Sequence, residues 1–560
     1  MVQRILKLFY REYGGLHKAA LLLAVSAGFS SLLGLFRDRL LAGTFGLSRS
    51  LDVYYASFRI PDLLYNLVAL SLVSVTILIP LFLERLNISE EKARHLINEV
   101  FTVFLVAMVL LGGGLFFLIP SLSKLIAPGF SGQDQVNFIL LTRIMLLSSI
   151  LLGLSNLLSS VIQSFRRFFI YALSPIFYNA GIIFGIFLLF PIFGLKGLIM
   201  GVVLGAFLHA LIQVPGLLKL GFPPKLSFKI NFSDIKKVIL LSFPRSLGLG
   251  LNQIVLLFIT AIASRMVSGS IAVFNFSLNL QSVALTVVGV SYSVAAFPTL
   301  ARFFVNKQIK EFFNHTISAA RQIIFWSIPA SVLLLVLRAQ IVRVILGTGL
   351  FSWTDTRLVA AGVALFSISI TAQALVILFV RAFYAAGKTK KPLGVNIFSS
   401  LFIIATAFLL VGIFTPNTPF KEIFDKVLRV EGIRDTNILV LPLVFSMGMI
   451  LNAMILIRSF SNFVKHSVFG KIKAMLAQVL LASFLMGGVA YFFLRVLDNI
   501  FDIHTFIGVF FQGFVAGIFG IAVWYISLRS ADNRELNEII NSFKQKFWKT
   551  PIIAPEPDEL

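Results

Sequence analysis

Ser174–Gly185 reads SPIFYNAGIIFG and Lys390–Ser400 reads KKPLGVNIFSS, so a Pro-x-x-x-Asn opens an apolar run twice, at Pro175/Asn179 and at Pro392/Asn396, roughly 217 residues apart. Each copy follows a basic turn. Two further matches keep nearly the same interval: ILIPLFLERL around Pro80 pairs with AAFPTLARFF around Pro298, and SKLIAPGFSG near Lys124 pairs with VRVILGTGLF near Arg343. A constant offset at three places marks an internal duplication, and duplicated halves made of membrane spans are the mark of a two-lobed transporter.

Composition sets the solvent. Of 560 residues 58% are hydrophobic and 13% charged, with a mean hydropathy of +0.94, which excludes a water-soluble globule. Backbone groups in hydrocarbon must be satisfied within a helix or a closed barrel, and apolar runs of about 20 residues select helices. The chain has no Cys, which excludes disulfides, metal thiolates and a thiol nucleophile. Lys18 followed by AALLLAVSAG has the outline of a signal peptide, but the apolar pattern continues through Gly28 to Phe36 and reads as a retained first span.

The pattern predicts an all-α polytopic membrane protein of about fourteen transmembrane helices, near residues 18–43, 52–83, 98–119, 136–164, 169–191, 195–217, 238–263, 270–300, 319–345, 357–384, 393–413, 437–457, 472–495 and 505–528. Segments 120–135 and 338–356, rich in Gly or Pro, read as re-entrant or interfacial turns. The predicted organisation is a six-helix lobe over 1–218, a cytoplasmic linker over 219–237, a second six-helix lobe over 238–458, two additional helices over 459–530 and a cytoplasmic tail over 531–560. Six is even, so both lobes enter the membrane in the same direction and relate by a pseudo-two-fold axis along the membrane normal.

With the N-terminus inside, cytoplasmic segments carry roughly 31 Lys and Arg and outside segments roughly 12, which satisfies the positive-inside rule. Both termini are then cytoplasmic. That asymmetry accounts for most of the net charge of +24; the basic residues are spread over loops rather than gathered on one domain, so nucleic acid is not an expected partner and anionic membrane lipids are.

A charge in mid-bilayer costs at least about 2.5–3.5 kcal/mol and normally faces a wet cavity. Nearly all acids within spans fall in the first two. GLFRDRLLAGTFG supplies Arg37, Asp38 and Arg39, and LDVYYASFRIPDLLYN supplies Asp52, Arg59 and Asp62. Successive helical residues point to different faces, so the first group must split, with one arginine facing the lumen and Asp38 pairing with another base. Asp52 and Arg59 lie about two turns apart on one face, and Asp62, three residues after Arg59, is placed to pair with it. The competing reading is that these residues cap helix ends, since Arg37 lies roughly 28 Å along a helix starting near Lys18. Pro61 beside the charges argues for a broken span opening onto a cavity. A second cluster has Arg245 after Pro244 in SFPRSLGLGLNQ, and Asn279 and Gln281 in FNFSLNLQS; span amides also serve simply as interhelical glue.

Gly201 and Gly205 form a GxxxG, and this pair, Gly112–Gly114 and Gly487–Gly488 read as close-packing points. His209, alone in the sixth span, reads as an interhelical hydrogen-bonding group. No HExxH, nucleotide loop or Ser/His/Asp arrangement is present. The sequence therefore predicts no enzyme, no metal and no cofactor.

These stretches, with LIAPGF, RRFFIYALSPIFYNAG, SGSIAVFNFSLNLQS, VVGVSYSVAAFPTLARF and RAFYAAGKTKKPLGVN, resemble the lipid II flippases of bacterial cell-wall synthesis, the MurJ/MviN family of the multidrug/oligosaccharidyl-lipid/polysaccharide exporter superfamily. The likeness covers most of the chain. It implies two six-helix lobes around a cationic cavity, a final helix pair forming a groove for a lipid tail, and a place in the bacterial cytoplasmic membrane. It also implies a lipid-linked peptidoglycan precursor as partner, with cell-wall synthesis proteins as possible further ones. In that picture Arg37 contacts a pyrophosphate while Asp38, Asp52 and Arg59 shape the cavity. Well-known members carry arginines at the positions held here by Ser31, Tyr65 and Asn279, and an acid–arginine pair is replaced by Leu278 and Asn279. The anion site then has its own geometry, with Arg37, Arg59 and Arg245 pairing with phosphate and Asn279 and Gln281 meeting sugar or peptide. Asp38, Asp52 and Asp62 are the acids available for proton or sodium coupling; membrane potential is the other source of drive. An exporter of another polyprenyl-linked oligosaccharide or a small cargo, and a non-transporting scaffold of envelope synthesis, are the rival readings.

Overall fold

Apolar runs of spanning length become helices because each closes its own hydrogen bonds in a solvent that offers none. The computed structural model describes residues 16–73, 75–165, 167–414, 418–433, 435–502 and 505–548. In chain order the long helices are α1 (Leu16–Phe45), α2 (Arg49–Leu86), α3 (Glu90–Ile126), α4 (Gly132–Ser164), α5 (Phe168–Phe193), α6 (Leu195–Leu220), α7 (Phe232–Ser264), α8 (Ser270–Val305), α9 (Ile309–Val336), α10 (Trp353–Ser367 with Ile370–Ala385), α11 (Lys390–Ile413), α12 (Thr436–Val464), α13 (Val468–Leu497) and α14 (Phe506–Ser530). Twelve have the length and apolar character to cross a membrane, or up to 13 with α10 taken as one span bent by 45°; α1 occupies the first predicted span. Helices therefore stand at all the predicted spans, and no strand occurs among the described residues.

Both predicted re-entrant pieces take simpler forms. Segment 120–135 is the end of α3, a turn, and the start of α4. Segment 338–356 holds a short helix, Arg338–Leu346, a turn, and the first residues of α10.

The second span is broken, as Pro61 suggested, though the breaks flank the proline. A helical piece ends at Ala56, another runs Arg59–Leu64, and Tyr65–Ala69 is a wide π-turn. The carbonyl of Pro61 accepts a 2.7 Å bond from Ser149 Oγ of α4, which ties the broken span to a neighbouring helix.

The helices form two compact units. The first comprises residues 1–280, 345–365 and 389–448; the second comprises 281–344, 366–388 and 449–560. In the first, α5 and α6 meet through two facing Gly-x-x-x-Gly pairs: a Cβ on Gly181 would lie 2.3 Å from Gly205 Cα, and one on Gly185 would lie 2.6 Å from Gly201 Cα. Only glycine permits that approach, and in lipid such dispersion contact is a main source of helix association. His209 of α6 joins Ser155 Oγ of α4 at 2.6 Å, with Gln213 Oε1 accepting from Ser159 at 2.9 Å, the interhelical role the sequence suggested. The 219–237 segment lies along the start of α3: the amides of Lys225, Ser227 and Asn231 donate to Asn98, Thr102 and Glu99.

In the second unit, α13 and α14 pack through stacked Phe493 and Phe519, centroids 4.0 Å apart. Gln340 donates to Gln512 of α14 at 3.2 Å. Gly487 faces Val332 of α9, whereas Gly488 has open space around it. An ion pair between Arg321 and the buried Glu535 holds the helix Arg534–Trp548.

Candidate functional site

Two helices of the first unit, α5 and α8, bring polar groups to the last third of α1. Arg37 donates to Asp38 Oδ1 from Nε at 3.1 Å and from Nη2 at 2.8 Å, and its Nη1 lies 3.3 Å from Asn179 Oδ1 of α5. The other carboxylate oxygen, Oδ2, accepts from Asn279 Nδ2 of α8 at 3.0 Å. Asn179 also donates to Ser30 Oγ at 3.2 Å and to the Pro175 carbonyl at 3.2 Å. Asp38 pairs with its own neighbour instead of another base, because the long arginine side chain bends back across the angle between adjacent helical positions. The third charge departs: Arg39 Nη1 donates to the Ile345 carbonyl at 3.3 Å.

Exposure separates the pair. The Asp38 side chain is 4% exposed and that of Arg37 22%, so the carboxylate is sealed while the guanidinium keeps a face open to an incoming oxygen. Arginine's planar fork suits phosphate in such a place. Asp38 fixes the fork's orientation.

Arg59 is buried. Its Nε donates to Thr260 Oγ1 and its Nη2 to Asn275 Oδ1, both at 2.8 Å, using two of the five guanidinium N–H groups. The expected ion pair with Asp62 does not form; α7 and α8 supply neutral acceptors instead. Among the described residues the Asp62 carboxylate makes no hydrogen bond or ion pair, while its backbone carbonyl accepts from Asn66 at 2.8 Å. Tyr65 accepts from Asn156 at 2.6 Å.

Asp52 and Arg59 both face α8 but bind different groups on it. Asp52 is fully buried, and its two oxygens accept from the backbone amides of Gly269, at 2.7 Å, and Ala272, at 2.9 Å. The first turn of α8 has no intrahelical acceptor for these amides and carries a partial positive charge, so a carboxylate is a strong cap there. Arg49, 3.6 Å from Asp52, donates to the carbonyls of Ser264 and Met266 at 3.2 and 3.3 Å. One turn of α2 thus presents a cation to the end of α7 and an anion to the start of α8.

Close backbone contacts surround this clamp in duplicate. Gly129 donates to Ser264 Oγ at 3.1 Å, and a Cβ on it would strike the Ser264 carbonyl. At the related place in the repeat, Leu350 donates to the Gly43 carbonyl at 2.9 Å, with Gly349 at φ +52° beside it. The turn after α3 therefore meets the end of α7, and the turn before α10 meets the end of α1, about one repeat length apart.

The remaining site residues divide. Asn279 and Gln281 are two helical positions apart, which places them about 200° apart around the axis; Asn279 joins Asp38, whereas Gln281 sits in the second unit against Gln373 at 3.4 Å. The Arg245 side chain lies outside the described residues. Asn179, Arg49, Thr260 and Asn275 escaped the sequence reading. Asn179 had a signal, since it defines the repeat; nothing in the sequence marks the others as partners of a charge.

A bundle of spanning-length helices with a broken second helix and oriented charges within it has the architecture of a transporter. It superposes with a TM-score of 0.65 on an inward-facing MATE-family multidrug transporter of the MOP superfamily, at 13% identity over 80% of this chain and 98% of that one. With a solved lipid II flippase MurJ in an inward closed conformation the TM-score is 0.72, at 22% identity over 92% of this chain and 100% of that one. A sequence model described as lipid II flippase MurJ matches residues 41–512, and the chain belongs to that family. Relatives include a probable lipid II flippase MurJ of Buchnera aphidicola subsp. Acyrthosiphon pisum, 30% identical over 66% of this chain and 74% of its own length, and one of Rickettsia prowazekii, 26% identical over 69% and 76%. The lipid II flippase MurJ of Burkholderia cenocepacia is 25% identical over 66% and 73%.

Proposed function

We propose that this chain is a multi-pass protein of the bacterial cytoplasmic membrane that moves lipid II, an undecaprenyl-pyrophosphate-linked peptidoglycan precursor, from one leaflet to the other. The observation that carries the reading is the Arg37–Asp38–Asn279 cluster, in a chain of the lipid II flippase family: an oriented guanidinium within a span, with its counter-ion sealed and its own face partly open. The lipid tail is content in the bilayer; only the headgroup needs shelter. Arg37 pairs with pyrophosphate oxygens, and Arg59 and Arg245 add positive potential. Asn179 and Asn279 beside Arg37 meet sugar or peptide groups, whereas Gln281, buried against Gln373, takes no part.

Both termini are cytoplasmic in this reading, and the lobes 1–218 and 238–458 rock to open the site alternately. That orientation puts the Asp52–Arg49 clamp and the two glycine contacts at the outer ends of the helices, where together they form a closed outer gate. Opening then requires Asp52 to leave the α8 amides.

The test is depletion and rescue. Cells lacking their own flippase receive this chain, and labelled lipid II is followed to the outer leaflet. Accumulation of inner-leaflet lipid II despite normal membrane levels of the protein would exclude this cargo and favour another polyprenyl-linked oligosaccharide.

A further inference from the structure

A cavity of about 480 Å³ lies within the first unit, where α3, α7 and α11 end and α12 begins. Phe258, Phe408 and Val411 give it apolar walls; Arg265, Asp435 and Asn437 supply its polar groups. None of these side chains belongs to the cluster around Arg37 or to the clamp at Asp52, which the cavity adjoins through Met266.

Three observations define its occupant. Arg265 and Asp435 share the cavity yet do not pair with each other, and among the described residues neither side chain has another ion pair or hydrogen bond. Asn437 Oδ1 is buried with no hydrogen-bond partner, and an orphaned buried acceptor costs about 1–3 kcal/mol unless something donates to it. The cavity also sits at the ends of spanning-length helices. The next helix in the chain, Pro419–Leu428, is strongly amphipathic, with Phe420, Ile423 and Val427 exposed along one face, the pattern of a helix lying in the interfacial plane. Its Asp425 accepts a 2.7 Å bond from Thr436, within the turn that carries Asp435 and Asn437. Phe408 is 56% exposed on α11, so the wall of the cavity continues onto a surface that faces acyl chains.

We propose that this cavity binds the headgroup of a zwitterionic phospholipid of the phosphatidylethanolamine type. The phosphate sits on Arg265, the ammonium lies between Asp435 and Asn437 Oδ1, and an acyl chain follows Phe408 and Val411. A separated cation and anion with a buried acceptor match a headgroup that carries both charges and an N–H donor. A purely anionic lipid fills only half of that set. The orientation proposed above places the site in the outer leaflet, where it secures the α7 end against the α12 turn.

Native mass spectrometry of the full chain, exchanged into micelles with phosphatidylethanolamine, phosphatidylglycerol or phosphatidylcholine, tests this. Phosphatidylethanolamine is retained best. Arg265→Ala and Asn437→Ala each lower its retention about tenfold, the loss of one charge-assisted or one buried hydrogen bond, while phosphatidylglycerol retention is unchanged by Asn437→Ala. Thermal denaturation of each variant without added lipid shows that it is folded; should Asn437→Ala fail to fold, Asp435→Asn replaces it. Equal retention of the three lipids, wild-type retention by the folded variants, or equal binding of chainless O-phosphoethanolamine would each overturn the proposal.

Discussion

Asn179 Oδ1 lies 3.3 Å from Nη1 of Arg37, across 142 residues of chain. The amide that defines the first copy of the repeat thus helps hold the guanidinium at the centre of the candidate site. Asn179 also donates to the Pro175 carbonyl one turn back, which fixes its amide with the oxygen turned toward α1.

Arg37→Ala should abolish lipid II translocation with normal protein in the membrane. Arg37→Lys should retain the charge but lose the paired hydrogen bonds to Asp38 Oδ1, and activity should fall by at least about tenfold, since a point charge does not replace a fixed fork. Translocation assays on membranes with matched protein levels check both. Full activity in Arg37→Ala would remove the anion-site assignment.

Asp52→Asn leaves one acceptor oxygen where two amides now point, and it removes the partner of Arg49. An unsatisfied buried amide costs about 1–3 kcal/mol, enough to shift a two-state equilibrium about 5- to 150-fold toward the state in which the clamp is released. Because the chain has no Cys, spin labels on Leu47→Cys and Val267→Cys report without background. Longer label distances in the Asp52→Asn background are expected; an unchanged distribution would mean that the clamp is not the gate.

Among the three acids of the first two spans, Asp38 and Asp52 are occupied by donors from the protein, whereas Asp62 has none among the described residues. Asp62→Asn should therefore be the substitution that removes any dependence of transport on a proton or sodium gradient while leaving the dependence on membrane potential. Reconstituted vesicles with each gradient imposed separately make the measurement. A wild-type response to either ion gradient in that variant would remove Asp62 from the coupling.

Gly201→Leu should be lost from the membrane rather than inactive within it. Even a Cβ at that position meets Gly185 Cα at 2.4 Å, so α5 and α6 must separate and give up the dispersion contact that joins them. Gly488→Leu, with no atom within 4 Å of its Cβ position, is the control and should accumulate normally. Fluorescence-detected size exclusion in mild detergent distinguishes the two.

The sequence by itself determined that this chain is a helical membrane protein with a duplicated half, where its spans fall, and that its span charges concentrate in α1 and α2. Those features are one-dimensional: hydrocarbon leaves the backbone no alternative to helices, and duplication writes itself as an interval. Only the tertiary structure decided what the charges do. Spacing placed Asp52 with Arg59 and Arg59 with Asp62, yet Asp52 caps the amides of α8 and Arg59 takes neutral acceptors from α7 and α8. Those partners lie about 200 residues away, and in a medium without water a buried charge binds whichever polar group the packing of helices delivers. Local periodicity carries no information about that delivery.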